Sequence, residues 1–200
     1  LDLLGLAPSA KNARKVLEVG GIWKPYVNVE KYVMQIRDKF PPAVTAEAIH
    51  LVENAESLVD MDERIRRDLR HLGAYAIDRE GAAEVDDAVS IEFLENGQEK
   101  LWIHIADVSH WVRPGSLLSL EAERRMTSIY MPDERISMFP EVLATELLSL
   151  GSRVDSYALS CGVILGENGE VESYEVCPSR VRISRRLSYA GLDEILSENQ

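Results

Sequence analysis

The sequence predicts an α+β protein built on a mixed, mainly antiparallel sheet. Three observations point there. Two pairs of alternating or apolar segments each flank an Asn-Gly turn, at Asn96-Gly97 and Asn168-Gly169, which is the signature of β-hairpins. Apolar residues at helical spacing fill the stretches before and between the hairpins. Hairpins, not strand–helix–strand crossovers, connect the strands. With 200 residues, 46% of them hydrophobic and 28% charged, the chain has the composition of a protein that buries a core. No apolar run approaches the ~20 residues needed to cross a bilayer. The first residue is Leu1, so the lack of a leader says nothing about compartment.

The elements follow in order. Ser9 is placed to cap a helix carrying Ala13, Val16 and Leu17, which ends at Gly20-Gly21. Asn28 can cap a second, with Tyr32, Val33, Ile36 and Phe40 at helical spacing up to Pro41-Pro42. Residues 1–45 thus read as a helical segment, which fits a winged-helix-like unit or any small helical packing unit. Thr45 opens a third helix with Ala48, Val52, Ala55 and Val59 on one face. The charge-dense "DMDERIRRDLRHL" after it reads as a solvated helix or linker, so residues 46–72 form a linker helix. The main domain is expected over residues 73–200. It begins with the strand "GAYAI". A hairpin over 89–106 follows, with Val89, Ile91 and Phe93 on one side and Leu101, Ile103 and Ile105 on one face of the returning strand. Ser119 can cap a helix through "LEAERRMTSIY", and "PEVLATELLSL" is a second helical run closed by Gly151. The second hairpin carries Cys161 and Cys177, and Ser188 can cap a last helix. Two cysteines do not make a secreted disulfide scaffold, and free thiols are expected.

Charge narrows the function. A net charge of −12 argues against a general nucleic-acid coat, because phosphate wants a positive field. It allows a local cationic groove or an acidic metal site. The segment "AIDREGAAEVDDAVSIEF" places Asp78, Glu84, Asp86 and Asp87 between two apolar runs. Two carboxylates ~5 Å apart repel by ~3 kcal/mol at an effective dielectric near 20, so convergence would call for a proton or a hard divalent cation. In a straight strand Glu84 and Asp86 would share a face and Asp87 would oppose them. A solvated loop with splayed acids accounts for the spacing equally well. An EF-hand does not fit, because a loop starting at Asp78 would put Ala82 and Ala83 where an oxygen ligand and a glycine belong. Magnesium, with few carboxylates, retained waters and phosphate ligands, fits better.

The blocks "AIDREGAAEVDDAVSIE", "WIHIADVSHWVRPGS", "LEAERRMTSIYMPDERISMFPEVLATELLSL" and "ALSCGVILGENGEVESYEV", in that order, resemble the opening part of the RNB catalytic domain of the ribonuclease II/RNase R family. The earlier "LEVGGIWKPYVNVEKYVMQIRDKFP" is similar to the region preceding that domain in cyanobacterial and plastid-type members. The resemblance implies a processive, Mg²⁺-dependent 3′→5′ exoribonuclease that hydrolyses single-stranded RNA to nucleoside 5′-monophosphates, in RNA degradation or processing. It implies catalytic roles for Asp78, Asp86 and Asp87, and a two-ion Mg²⁺ site held by Asp78, Glu84, Asp86 and Asp87. Glu84 stands where Asp is frequent in the family and adds a methylene. Tyr130 matches the tyrosine that stacks on the 3′-terminal base. The expected partner is single-stranded RNA, with no DNA and no membrane. The expected compartment is intracellular: a bacterial cytoplasm, a chloroplast or a mitochondrion. The later half of the domain and its flanking OB-type domains have no counterpart here, so the chain is expected to be a fragment, inactive or weakly active alone. The other reading is a non-catalytic RNA-binding or scaffold relative that kept the fold.

Other features read as structural. His104, Asp107 and His110 do not form a metal triad, because 104 and 107 face opposite ways on a strand. Trp102 and Trp111 belong to the core. Arg180, Arg182, Arg185 and Arg186 fit a solvated strand face at least as well as an RNA-phosphate contact.

Overall fold

The computed structural model describes residues 4–25, 27–132, 134–151 and 153–198. It is an α+β structure with two compact units, residues 1–38 and 39–200. The partition differs from the expected boundaries at 45 and 72. The reason lies in helix α3 (Pro42–Glu53), which buries Val44 and Ala48 among Leu118, Leu143, Leu147 and Trp111. It is core of the larger unit, not a linker. Its start also differs: Pro41 and Pro42 open it ahead of Thr45, since proline at the first helical position gives up an N–H that would have no partner anyway.

The smaller unit holds α1 (Ala10–Val19), whose Ser9 side chain accepts from the Asn12 N–H, and α2 (Val29–Val33), capped by Asn28. Helix α2 stops at Met34, short of Ile36 and Phe40, and Gln35 takes a left-handed backbone with φ 53°.

In the larger unit a seven-stranded sheet runs in the order β1 (Arg67–Asp68), β8 (Val171–Val181), β7 (Ser156–Leu165), β4 (Glu99–Ala106), β3 (Asp87–Phe93), β2 (Ala74–Asp78), β9 (Ile183–Ser188). The interior pairs are antiparallel, and the outer pairs β1–β8 and β2–β9 are parallel. Both expected hairpins are present, β3–β4 and β7–β8. Cys161 and Cys177 are free thiols. Helices α4 (Val108–Trp111), α5 (Leu117–Arg125), α6 (Glu141–Glu146) and α7 (Tyr189–Glu198) complete the unit, with a ribbon of β5 (Ile129–Tyr130) and β6 (Arg135–Ile136) between α5 and α6. Ser116, not Ser119, caps α5: its Oγ accepts from the Ser119 N–H. That helix ends at Met126 with φ 65°, so Tyr130 sits on a strand instead of a helix end.

The sheet alternates as expected, and its packed side is the one that carries the small residues and Trp102. Ala74, Ala76, Ala88, Trp102, Ala158 and Val181 pack with Leu69, Val85 and Leu150. On the opposite side Ile91 is 49% exposed and Phe93 76%, with Ile103, Ile105, Leu159 and Val176 open beside them. Trp102 fills the space over Gly162, where a Cβ would come within 2.8 Å of the indole.

Polar side chains on the packed side satisfy one another. Ser90 Oγ lies 2.9 Å from His104 Nε2, His104 Nδ1 2.7 Å from Ser160 Oγ, and Ser160 Oγ 2.6 Å from Ser179 Oγ. Ser179 Oγ donates to the Ala158 carbonyl. One polar residue from each of β3, β4, β7 and β8 joins this chain. The segment "DMDERIRRDLRHL" is no solvated helix either. Arg66 is buried, with its Nε 2.6 Å from Asp60 and its Nη1 3.2 Å from Asp107, and it also donates to the Ser179 carbonyl. Its guanidinium lies over Tyr157, which stacks on His110 at 3.8 Å. A buried arginine needs such partners because an unpaired buried charge is destabilising by ~3–5 kcal/mol.

Burial lowers the His104 pKa to about 4. The folded protein holds the ring neutral while the unfolded chain protonates it near pH 6.5, so between those values the unfolded state binds more protons. Stability from this histidine is therefore present above pH 6.5 and is lost as pH falls towards 4, on the order of 3 kcal/mol in all. Urea unfolding at pH 7.5 and 4.5 is expected to show that loss in the wild type, and a smaller one in His104→Gln.

Candidate active site

The acidic segment joins β2 to β3. Asp78 ends β2 and Asp87 begins β3; the loop between them turns at Gly81, φ +73°. Val85 pins it. This side chain is 2% exposed, its N–H donates to Ser149 Oγ at 2.9 Å, and its carbonyl accepts from the Leu150 N–H at 2.8 Å. With Val85 turned into the core, Glu84 and Asp86 turn out of it together. The Asp86 carbonyl accepts from the Ala106 N–H, which fixes the loop to the end of β4.

Asp78, Glu84, Asp86 and Asp87 line one hollow of about 350 Å³, together with Arg135, Tyr130 and Tyr189. All the acids expected from the sequence therefore meet at one place, and Tyr130 stands at its edge, 63% exposed. Asp78 Oδ1 accepts from the Arg79 N–H at 2.6 Å. Burial, then the charges of Asp87 and Asp78, push the Asp86 pKa up against the pull of Arg135. Burial also raises Glu84, with Arg135 opposing and Asp86 and Glu141 adding to the rise. The Arg135 Nη2 lies 2.9 Å from Glu84 Oε1.

The donor set is made of hard oxygens carrying excess negative charge, which suits a divalent cation such as Mg²⁺. Among the described residues no three acidic, histidine or cysteine side chains form a ready metal cluster. That is compatible with magnesium, which takes one or two carboxylates and completes its shell with waters and substrate phosphate instead of a protein cage. Asp78, Asp86 and Asp87 are the side chains available to it. Glu84 lies in the same hollow, its Oε1 buried without a hydrogen-bond partner and paired by charge with Arg135.

Two lining residues escaped the sequence reading. Tyr189 comes to the hollow because β9 pairs in parallel with β2, Asp78 opposite Ser188; a pairing across more than a hundred residues leaves no local signal. Arg135 lies directly across the β5–β6 ribbon from Tyr130, and a lone arginine in "PDERIS" gives no hint of an acidic partner at 84. The expected structural roles of His104, Asp107, His110, Trp102 and Trp111 agree with their burial. Arg180 pairs with Glu63 and Arg182 with Asp155.

Residues 66–200 match the RNB domain family. The chain belongs to that family. It is 37% identical to an uncharacterized ribonuclease of Synechocystis over 98% of this chain and 29% of that protein. It is 36% identical to the chloroplastic/mitochondrial ribonuclease II of Arabidopsis thaliana over 100% of this chain and 24% of that protein. Among solved structures, Mycoplasma genitalium RNase R in complex with ribose-methylated single-stranded RNA matches with a TM-score of 0.72 at 25% identity, over 83% of this chain and 25% of that one. Yeast Ssd1, a pseudonuclease, matches with a TM-score of 0.62 at 27% identity, over 70% of this chain and 18% of that one. The RNB chain thus spans about a quarter of the length of the relatives it matches. Among its described residues no helix is long and apolar enough to cross a membrane.

In metal-free protein Asp86 is expected to titrate above the ordinary carboxylate value near 4, and to rise further in Arg135→Met, which removes the opposing charge. Carboxyl-carbon NMR across pH 3 to 8 reads both shifts; a fall in the variant would contradict the electrostatics drawn here.

Proposed function

We propose that the intact protein is a metal-dependent 3′→5′ exoribonuclease acting on single-stranded RNA. The observation that carries this reading is the meeting of Asp78, Asp86 and Asp87 with an exposed Tyr130 at one hollow, in an RNB-family chain whose relatives are named ribonucleases. Asp78, Asp86 and Asp87 would hold the cation. When bound, a pair of Mg²⁺ ions would supply a water of lowered pKa and charge neutralisation at the departing 3′ oxygen.

The chain's own residues do the rest. The Tyr130 ring offers a face to the terminal base, a contact worth ~1–3 kcal/mol that accepts any base. That suits removal of nucleotides one at a time without regard to sequence. The acids exclude a bare phosphate, since an uncompensated anion pair is repulsive, so RNA enters productively only with cations. Released nucleoside 5′-monophosphates follow from attack on the phosphorus with the 3′ oxygen leaving. This piece alone lacks most of the length of its relatives, and its activity by itself is expected to be low or nil.

The likeness to a pseudonuclease supports a second reading, an RNA-binding relative without catalysis. Retention of Asp86 and Asp87 favours the enzyme. Asp86→Asn in the intact protein is expected to leave RNA affinity within about three-fold and to lower cleavage by on the order of a hundred-fold or more. Binding measured by fluorescence anisotropy and cleavage of a 5′-labelled oligonucleotide with Mg²⁺ check this. Normal turnover by the variant would count against the catalytic assignment.

A further inference from the structure

The Glu84–Arg135 contact joins two parts of the site that the chain builds separately. Glu84 belongs to the acidic loop between β2 and β3. Arg135 belongs to the β5–β6 ribbon, where its Cα partner is Tyr130. Each of these strands has two residues, and a two-stranded ribbon is marginal without outside support. Some support comes from within its own neighbourhood: the Met131 N–H donates to Glu134, the Met138 N–H donates to Ser128 Oγ, and Ile136 is buried. Those contacts fold the ribbon. They do not tie it to the carboxylates.

The ion pair does. Its N–O separation is 2.9 Å, and the side chains are only 23% and 16% exposed for Arg135 and Glu84, so solvent screens it far less than a surface pair. Glu84 Oε1 has no solvent-facing surface and no hydrogen-bond partner, so its contact with Arg135 is a charge pairing at short range and not a formed hydrogen bond. Arg135 also faces Asp86 and shares the hollow with Asp78 and Asp87, but Glu84 is the acid it reaches.

We propose that Glu84 and Arg135 form a positioning strut that sets the span between the base platform at Tyr130 and the aspartates, and that Glu84 serves the strut and not the metal. The inference rests on the nuclease reading above. It departs from the role in metal binding that the sequence resemblance implied for Glu84. The physical reason is competition of charge: a carboxylate paired with a guanidinium inside a sheltered hollow gives up that pairing to ligate a cation, while Asp78, Asp86 and Asp87 have no such ion pair among the described residues. The span matters because the base stacked on Tyr130 fixes which phosphodiester reaches the aspartates, and misplacement of ~1 Å can lower a rate by ~100-fold.

A double-mutant cycle in the intact protein tests this with Glu84→Gln, Arg135→Met and the double variant, and with Arg135→Lys as the conservative control. Groups that act as one unit are non-additive. Both single variants are expected to raise KM for single-stranded RNA by about ten-fold and to blur the length of the final product on a labelled oligonucleotide. The double variant should be no worse than either, and Arg135→Lys should recover most of the loss. Two readouts need no catalysis. Calorimetric Mn²⁺ affinity, with Mn²⁺ as the probe, should stay within about three-fold of wild type in Glu84→Gln, whereas loss of a direct ligand would lower it by about ten-fold or more. The ¹⁹F resonance of fluorotyrosine placed at Tyr130 should move in both single variants alike. A ten-fold loss of Mn²⁺ affinity confined to Glu84→Gln, additive effects in the cycle, or an unmoved ¹⁹F signal would each overturn the strut. A wild type that cleaves no RNA would instead sink the nuclease reading, with the metal and ¹⁹F arms still deciding the strut.

Discussion

The site depends on how one apolar residue is held among acids. Val85 is buried, and both its backbone hydrogen-bonding groups are engaged by the 149–150 segment. Without that anchor, Asp78, Glu84, Asp86 and Asp87 would spread into solvent, since like charges gain by separating and a loop resists this only by its entropy and its contacts. With it, Glu84 and Asp86 leave the core on one side, and their pKa values rise in response to burial and to each other's neighbours. Folding free energy, drawn from the apolar core around Leu150 and Trp102, thus holds together charges that would not stay together unaided. Such a crowd of carboxylates is relieved by a proton, as the raised pKa values show, and would be relieved equally by a hard cation.

A second arrangement supports the first from the far edge of the sheet. The Asp60–Arg66–Asp107 cluster, with His110 and Tyr157 stacked beside it, fixes the segment before β1 to α4 and β8. Arg66 outweighs the burial that would otherwise raise Asp60, so that carboxyl lies below its ordinary value, and burial keeps the His110 pKa low. The pair is strongly interdependent: removal of either partner strands a buried charge. Its value is less net stability than uniqueness of docking, because a guanidinium between two carboxylates and a backbone carbonyl accepts one geometry.

Much of the fold could be read from the sequence, for physical reasons that also explain the failures. Asn-Gly turns and strict alternation are local signals, and both hairpins formed where they lay. Caps at Ser9, Asn28 and Ser188 are local too, and their hydrogen bonds are present. Alternation cannot say which side of a strand is packed. Val89, Ile91 and Phe93 share one side of β3, and it is the alanines and Trp102 on the opposite side that are buried. Charge density could not reveal Arg66, because burial of an arginine is set by acids that come from elsewhere in the chain. The four acids and Tyr130 were legible through the family resemblance, since their spacing alone left a solvated loop equally open. Arg135 and Tyr189 were not, since a ribbon register and a parallel β2–β9 pairing bring them to the hollow.

The placement of charge also says how this part of the protein would meet RNA. A chain of net charge −12 has no broad positive field to draw a polyanion. Within its arginine-rich end Arg180 faces Asp60 and Glu63 and Arg182 faces Asp155, while Arg186 donates to the neutral Ala82 carbonyl and Arg185 is exposed. Counterion release, the usual source of nucleic-acid affinity, scales with the number of phosphates met by free cations, and here Arg180 and Arg182 are already paired with acids. On the proposed nuclease reading, affinity at this surface would come mainly from stacking on exposed rings, with any metal ion between carboxylates and phosphate serving the cleavage step. Stacking of this kind would act at the last nucleotides of a strand without reading its sequence, as the proposed activity requires.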